Sequence, residues 1–304
     1  MRSHARPVIV IPVHNRRAIT LGALQFLRDD AVFAWATVLV VDDGSSDGTA
    51  QAIKKEFPDV QLLVGDGTWW WCGAIRRGMD WALRHDAQQV FWLNDDCRPP
   101  AGGLDEMRKT SDATGAIVWI DARSPDGWSY GGHRRTAWRI RRCTVDEERR
   151  GKIDTFSGNC VCLPRSWVDR VGLPHDHLFP HGIGDLDYGL RLHAAGAELR
   201  PVPGLIAQNL DPAQSSAESW LTTKRSMRAV WADFRSPRSF FFFPAWWQFA
   251  RRHWGPVWGT VVFAAPYGRW CAIAALKALA PAVARRWAGR KRLNSPTDPA
   301  ARRY

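Results

Sequence analysis

Four short apolar runs, each halting abruptly on polar or acidic residues, limit what this chain can fold into. Val8 to Ile11 ends at Pro12 and the polar turn Val13-His14-Asn15-Arg16-Arg17, and Thr37 to Val41 ends at Asp42-Asp43-Gly44. Val60 to Val64 ends at Gly65-Asp66-Gly67, and Val90 to Leu93 ends at Asn94-Asp95-Asp96. Between them lie stretches of helical periodicity, Ala18 to Phe26, Thr49 to Phe57 and Ala74 to His85. Strands alternating with helices at this spacing predict βαβ units, an α/β fold and a mostly parallel, doubly wound sheet. Right-handed crossovers place the carboxyl ends of the strands along one rim, where ligands of open α/β sheets bind. His14, Asn15, Asp43, Asp66 and Asn94 to Asp96 would converge there. No G-x-G-x-x-G follows the first strand and no G-x-x-x-x-G-K-[ST] occurs. A dinucleotide dehydrogenase and a P-loop NTPase are therefore disfavoured.

The fourth run carries the most chemistry. Phe91-Trp92-Leu93 passes straight into Asn94-Asp95-Asp96, with Pro99-Pro100 close behind. This reads as a buried strand delivering two charges to a loop. Adjacent carboxylates repel unless a cation shares the site, and hard oxygen ligands suit Mg²⁺ or Mn²⁺, which can in turn hold a diphosphate. An exposed acidic turn is the plainer reading of an isolated Asp-Asp; the converging rim argues for the metal.

The chain has 304 residues, 45% hydrophobic and 24% charged, as expected of a globular protein able to form a cleft. Its net charge of +12 is unevenly placed. Residues 251–304 hold 11 Lys/Arg against Asp298 alone, which is +10 and leaves +2 for the rest. The basicity therefore belongs to a tail, and no nucleic-acid-binding motif accompanies it. The six cysteines show no C-x-x-C pair and no zinc spacing, so they read as reduced, mostly buried thiols of a cytoplasmic protein. The apolar run at the start is too short for a secretory signal, and no stretch reaches ~18 uninterrupted apolar residues, the length of a membrane span.

The middle, Leu104 to Lys152, is less regular. Ile117 to Ile120 reads as a strand, Asp126-Gly127 as a turn and Asp146 to Arg150 as a charged surface loop. Trp128 and Trp138 serve either as edge packing or as platforms for a sugar ring. Further on, Asp185 and Asp187 fall at the start of a helix. Carboxylates there favour the helix dipole; the functional alternative makes one of them a general base facing the cleft. Arg191, four residues after Asp187, would form a helix-surface ion pair with it. His177 and His181 read as ordinary histidines.

VVDDGSSDGT, FWLNDD and HGIGDLDYGLRL, taken together, resemble the family 2 glycosyltransferases of GT-A fold. The closer likeness is to bacterial rhamnosyltransferase-like members of O-antigen and exopolysaccharide assembly, over roughly Val8 to Gln208. The resemblance implies a nucleotide-diphosphate sugar donor, dTDP- or UDP-linked, and inversion at the anomeric carbon. It makes Asp43 a contact to the nucleoside, with Pro12, His14, Asn15, Asp66, Trp71, Gly73, Arg76, Asn94 and Asp95 also on the donor side. Asn94-Asp95-Asp96 occupies the D-x-D position, with Asp96 on the metal. Asp185 takes the carboxylate position of the catalytic E-D pair, with Gly184 in place of the Glu. Gly158-Asn159 matches the family's G-N near the acceptor, where Asp187 and Arg191 would act as orienting residues. Arg76 stands where the family usually has Asn, and Gln208 near where many members have His.

These readings imply a GT-A catalytic domain over 1–215, with a nucleotide-sugar half to about 100 and an acceptor half after it. Residues 216–304 form a C-terminal helical, aromatic- and Arg-rich extension. The expected activity is inverting transfer of a rhamnose-like or other hexose to a glycan or polyprenyl-diphosphate-linked acceptor in cell-surface polysaccharide synthesis. A sugar nucleotidyltransferase on a similar sheet is the alternative, disfavoured because VHNRR lacks the glycine-rich loop it needs. Ser239 to Phe243, with Trp246, Trp247, Trp254 and Trp258, is an aromatic patch suited to a membrane interface. Trp270, Ile273 and Leu276 against Arg269 and Lys277 fit an amphipathic helix, and Arg285, Arg286, Arg290, Lys291 and Arg292 form a basic cluster. The expectation is an enzyme peripheral on the anionic inner face of the plasma membrane. Packing of these aromatics as a helical cap is the other reading.

Overall fold

A computed structural model of the chain describes residues 6–125, 127, 129–211 and 227–279. They belong to two compact units, Met1–Asp211 and Pro212–Tyr304. The domain boundary expected at 215/216 lies outside the described residues, as do Asp126 and Trp128.

The first unit opens with strict alternation: β1 (Val8–Val13), α1 (Arg17–Asp29), β2 (Thr37–Asp42), α2 (Thr49–Glu56), β3 (Gln61–Val64), α3 (Trp70–Arg84) and β4 (Gln89–Leu93). Its second half is mixed. β5 (Cys97–Arg98), α4 (Gly103–Thr114), β6 (Ile117–Arg123) and β7 (Ser129–Tyr130) are followed by β8 (Gly132–Arg135), β9 (Ile140–Arg142) and α5 (Val145–Arg149). Then come β10 (Thr155–Phe156), β11 (Cys160–Pro164), α6 (Arg165–Val171), α7 (Gly184–Ala194) and β12 (Leu199–Asn209).

Among the described residues the main sheet has the order β3-β2-β1-β4-β11-β6-β12-β5, with β7 beside β6. The first four strands are parallel, whereas β11 runs antiparallel to both β4 and β6. A small antiparallel sheet, β10-β8-β9, lies apart from it. Strand side chains alternate between two buried layers, as the period of two requires. Ile9, Ile11, Val38, Val40, Phe91 and Leu93 pack into one core, with Leu24 and Leu27 of α1 and Ile53 of α2. Val8, Val10, Leu39, Val41, Val90 and Trp92 enter the other, with Ile75 and Met79 of α3 and Tyr188 of α7. Cys72, Cys97, Cys143, Cys160 and Cys162 are buried free thiols, and Cys271 is exposed.

Two elements differ from the sequence reading. Asp146 to Arg150, expected as a surface loop, is mostly the short helix α5. Thr144 caps it through its side chain and Glu147 answers with its carboxylate, a reciprocal capping box that satisfies orphan donors at both positions. α3 begins at Trp70 rather than near Ala74, because a buried carboxylate from another strand caps it, as described below.

The second unit contains α8 (Met227–Arg235), α9 (Phe243–Trp254) and α10 (Pro256–Leu279). Phe234, Trp246, Phe249 and Ala250 are buried in it, and Tyr267 donates its hydroxyl to the Phe241 carbonyl at 2.9 Å. α10 crosses α9 at Gly259, where an added Cβ would stand 2.4 Å from the Ala250 carbonyl oxygen. Much of the expected aromatic patch thus packs within the unit itself. Trp258 and Trp231 are among the large hydrophobics left exposed. The side chains of Ile273, Leu276 and Lys277, and the whole basic cluster, lie outside the described residues. Among the described residues, no helix is long and apolar enough to cross a membrane.

α3 carries much of the site, and its contact with β1 is set by Gly78. A Cβ there would stand 2.2 Å from Val10 Cγ1. Gly78→Ala must push α3 off the sheet and is expected to cost about 1–3 kcal/mol, the usual cost of overpacking, measured by urea unfolding.

Candidate active site

The rim is built around Asp43, which follows β2. Its Oδ1 accepts the backbone N–H groups of Gly67 and Trp69 at 3.0 and 3.2 Å, and Oδ2 accepts that of Trp70 at 2.8 Å. These are donors that the start of a helix leaves without intrahelical partners, and a buried anion suits that position. Close approach is required around it: a Cβ on Gly65 would stand 2.8 Å from Asp43 Oδ1. Trp70 adopts a left-handed φ of 55° at this entry. Both oxygens of Asp43 are engaged inside the protein, so what the rim presents here is the 65–70 loop that Asp43 shapes. Asp66 is exposed on that loop and accepts from Thr68 N and Oγ1.

His14 and Asn15 tie the end of β1 to the same place. His14 Nδ1 lies 2.6 Å from the Asp43 carbonyl oxygen, which can only accept, so Nδ1 carries the proton. Nε2 is then free to accept from Asn15 Nδ2 at 3.0 Å. Asn15 Oδ1 accepts the Ser46 N–H at 2.7 Å. Pro12 lies in β1 in register with Val41.

At the end of β4 the three polar residues diverge. Asn94 Oδ1 accepts the indole N–H of Trp71 at 2.8 Å, and Asn94 N donates to the Asn159 carbonyl at 2.9 Å. Asp95 is buried, accepts the Thr20 hydroxyl at 3.0 Å, and lies 3.4 Å from Arg16 Nε. Burial pushes its carboxyl up to about 6, against the opposing pull of Arg16 and with a further push from Asp96. Asp96 Oδ2 is 3.2 Å from Arg16 Nη2, which also reaches Asp211 Oδ2 at 2.7 Å. Asp96 Oδ1 is buried with no hydrogen-bond partner. Asp211 arrives because β12 ends here, with Leu210 N donating to the Asp96 carbonyl at 2.8 Å.

The residues present fit a divalent cation. The hard carboxylates of Asp95, Asp96 and Asp211 all contact Arg16, and one buried oxygen, Asp96 Oδ1, lacks a donor. Among the described residues, no group of three or more His, Cys, Asp or Glu is spaced to hold an ion unaided. That is compatible with Mg²⁺ chemistry, in which one or two carboxylates bind and phosphates and water complete the shell.

Asp185 and Asp187 have separate fates. Asp185 is half-buried at the start of α7; Oδ2 accepts the Gly158 N–H and Oδ1 the Leu186 N–H, both at 2.8 Å. Burial raises its carboxyl above the ordinary aspartate value, more than these two bonds lower it. Asp187 is fully buried, with Arg191 Nη1 and His175 Nδ1 each 3.8 Å from its Oδ2. The ion pair expected on the helix surface is thus an interior one. Arg191 also donates to the Leu173 and Val171 carbonyls, so it anchors the segment before α7.

Trp71 joins the two acidic sites. Its indole bonds Asn94, and its ring lies so close to Gly158 that a Cβ there would meet Trp71 Cη2 at 2.6 Å. Gly158 in turn donates to Asp185. Gly184, where the resemblance expects an acid, has no room for one: a Cβ would stand 2.7 Å from Cys72 Sγ. Burial, then the charges of Asp176, Asp185 and Asp187, push that thiol up, which keeps it neutral. Arg76 points away from the acids of the rim loop, donating to the Pro174 carbonyl at 2.8 Å and pairing with Asp176 at 3.6 Å. Gly73 packs against Trp69, Arg77 and Asp176. Arg16 and Asp211 are the residues that sequence reading overlooked. Arg16 was visible as a cation directly after the β1 turn; Asp211 had no local signal.

This chain belongs to glycosyl transferase family 2, which it matches over residues 8–172. It is 26% identical over 197 residues to the N-acetylglucosaminyl-diphospho-decaprenol L-rhamnosyltransferase of Mycobacterium tuberculosis. That alignment covers 53% of this chain and 62% of the relative, so less than two thirds of the relative's length is spanned. The fold is shared with GalNAc-T7, solved with UDP, GalNAc and Mn²⁺, at a TM-score of 0.55 and 14% identity over 78% of this chain and 52% of that one. It is also shared with the mannosyltransferase PcManGT of Pyrobaculum calidifontis, solved with GDP-Man and Mn²⁺, at a TM-score of 0.53 and 15% identity over 95% and 84% of the chains. The architecture is that of the GT-A glycosyltransferases.

Replacing Asp43 by Ala leaves three inward N–H groups without their acceptor. The expected outcome is a loss of about 1–3 kcal/mol, the penalty for an unsatisfied buried group, together with faster amide exchange at Gly67, Trp69 and Trp70. Hydrogen exchange read by mass spectrometry checks it.

Proposed function

We propose that the protein is a metal-assisted, inverting glycosyltransferase with Asp185 as general base. Its donor is a nucleotide-diphosphate sugar, dTDP- or UDP-linked, and its acceptor a glycan or polyprenyl-diphosphate-linked saccharide. The observation that carries this reading is the placement of Asp185 one tryptophan away from Asn94-Asp95-Asp96. The family match favours transfer over the nucleotidyltransferase alternative. The mycobacterial relative's lipid-linked acceptor and the Mn²⁺ in the two fold neighbours support the finer assignments.

The chemistry follows from the side chains. Each carboxylate oxygen of Asp185 holds one backbone N–H and keeps a lone pair. With its pKa raised, Asp185 is a stronger base than an ordinary aspartate, suited to take the acceptor hydroxyl proton. As that proton leaves, the hydroxyl oxygen bonds C1 of the sugar and the bond from C1 to the diphosphate oxygen breaks, a single displacement that inverts the centre. A divalent cation held by Asp96 would neutralise the departing diphosphate as a Lewis acid. Trp71 fixes the distance between the two ends of the reaction and shields it from water.

Asp185→Asn is expected to lower turnover ~10²–10⁴-fold while donor affinity is nearly kept. Protonated Asp185 cannot accept a proton, so wild-type kcat/KM falls as pH drops through the raised pKa. That acid limb should lie above the ordinary aspartate value of ~3.9 and vanish in the variant. Steady-state rates against pH decide it; activity within a few-fold of wild type would transfer the role elsewhere.

The second unit serves, in this reading, to hold the enzyme on an anionic membrane surface. Val257, Val261, Ala265, Ala272 and Leu279 are exposed at helical spacing along one uncharged side of α10. Residues 251–304 add their net charge of +10, and each cation near an anionic leaflet contributes ~1 kcal/mol. The full chain should float with anionic liposomes at low salt, and a form ending near Arg238 should not. Equal behaviour of the two would assign the tail to packing alone.

A further inference from the structure

The acidic centre of the rim already contains a cation, and the protein supplies it. Arg16 reaches Asp95 through Nε at 3.4 Å, and Asp96 and Asp211 through Nη2 at 3.2 and 2.7 Å. The three acids come from two stretches far apart in the chain, the end of β4 and the end of β12. The positive charge of Arg16, with that of Arg98, whose Nη1 donates to the Asp95 carbonyl at 2.7 Å, offsets the mutual repulsion of three negative ones. The balance is incomplete: Asp96 Oδ1 is buried and faces no donor. Arg16 itself is more than a quarter exposed, sits in the turn after β1, and follows Asn15 in its left-handed conformation. It is a long side chain rooted outside the strands, with Nε buried and the rest partly open to solvent.

A divalent ion at Asp96 would compete for the oxygen that Nη2 now holds. It would also stand within a few ångströms of the guanidinium, where like charges repel strongly because solvent screening is reduced. The two cannot share the carboxylates in the arrangement seen. Resting on the reading of Asp96 as the metal ligand, we propose that Arg16 is an exchangeable internal counter-ion. Divalent cation entry displaces Nη2 from Asp96 and Asp211, and Arg16 restores the acidic centre when the ion leaves. Arg16 is a positioning residue in this scheme: it keeps the carboxylates assembled without metal and sets how tightly metal binds.

The test measures Mn²⁺ binding to the full chain without donor, by electron paramagnetic resonance of free Mn²⁺, in wild type, Arg16→Gln, Arg16→Lys and Asp96→Asn. Arg16→Gln should bind Mn²⁺ at least tenfold more tightly than wild type. Its metal-free form should melt lower and gain more Tm from Mn²⁺. Arg16→Lys keeps the charge and should stay within a few-fold of wild type. If Asp96→Asn loses Mn²⁺ but Arg16→Gln binds no tighter than wild type, the metal assignment stands and the exchange is overturned. If Asp96→Asn binds Mn²⁺ like wild type, the metal assignment falls and takes the exchange with it. Should Arg16→Gln fail to fold, Mg²⁺ titration of the wild-type protein decides. The Arg16 ¹Hε–¹⁵Nε signal should move and lose solvent protection on saturation; an unchanged signal overturns the proposal.

Discussion

Three backbone N–H groups pointed at one buried carboxylate hold this rim together. Asp43 follows β2, yet its partners Gly67, Trp69 and Trp70 belong to the turn after β3 and the start of α3. A charge taken out of water is tolerated only where several donors meet it, and here they also complete a helix start. Everything α3 carries inherits its position from this contact. Trp71 reaches Asn94 on one side and Gly158 on the other because α3 begins where Asp43 makes it begin.

The same rule of charge compensation divides the remaining carboxylates into kinds. Asp187 is sunk among Arg191 and His175. Asp185, two residues away, accepts the main-chain N–H groups of Gly158 and Leu186, and burial lifts its basicity more than these bonds lower it. Asp95, Asp96 and Asp211 meet at the Arg16 guanidinium. The indole of Trp71 stands between these acids, bonded to Asn94 on one side and packed against Gly158, the donor to Asp185, on the other.

The second half of the first unit departs from a purely parallel sheet. β11 inserts antiparallel beside β4, and this brings Gly158-Asn159 to the strand end where Asn94 begins. Gly158 and Gly184 are required by close approach rather than by φ: one faces the Trp71 ring, the other the Cys72 sulfur. A lost family acid at Gly184 is therefore a packing solution, in which a neutral thiol fills the space.

Much of this was legible in the chain itself. Continuous apolar runs ending on polar residues point to parallel strands buried on both faces and to a common rim, because that arrangement buries both strand faces and leaves the charges at the edge. Asp95, Asp96 and Asp185 were recognisable as acids at element ends, where local pattern and chemistry coincide. The capping box that makes 145–149 a helix was also written in Thr144 and Glu147, although charge density disguised it as loop. What the sequence could not decide was which acid meets which cation. Arg16 finds Asp211 across 195 positions of chain, and Asp43 spends its carboxylate on the loop after the neighbouring strand. Those partners are chosen by sheet order and by the desolvation each charge undergoes, quantities that exist only once the chain has folded.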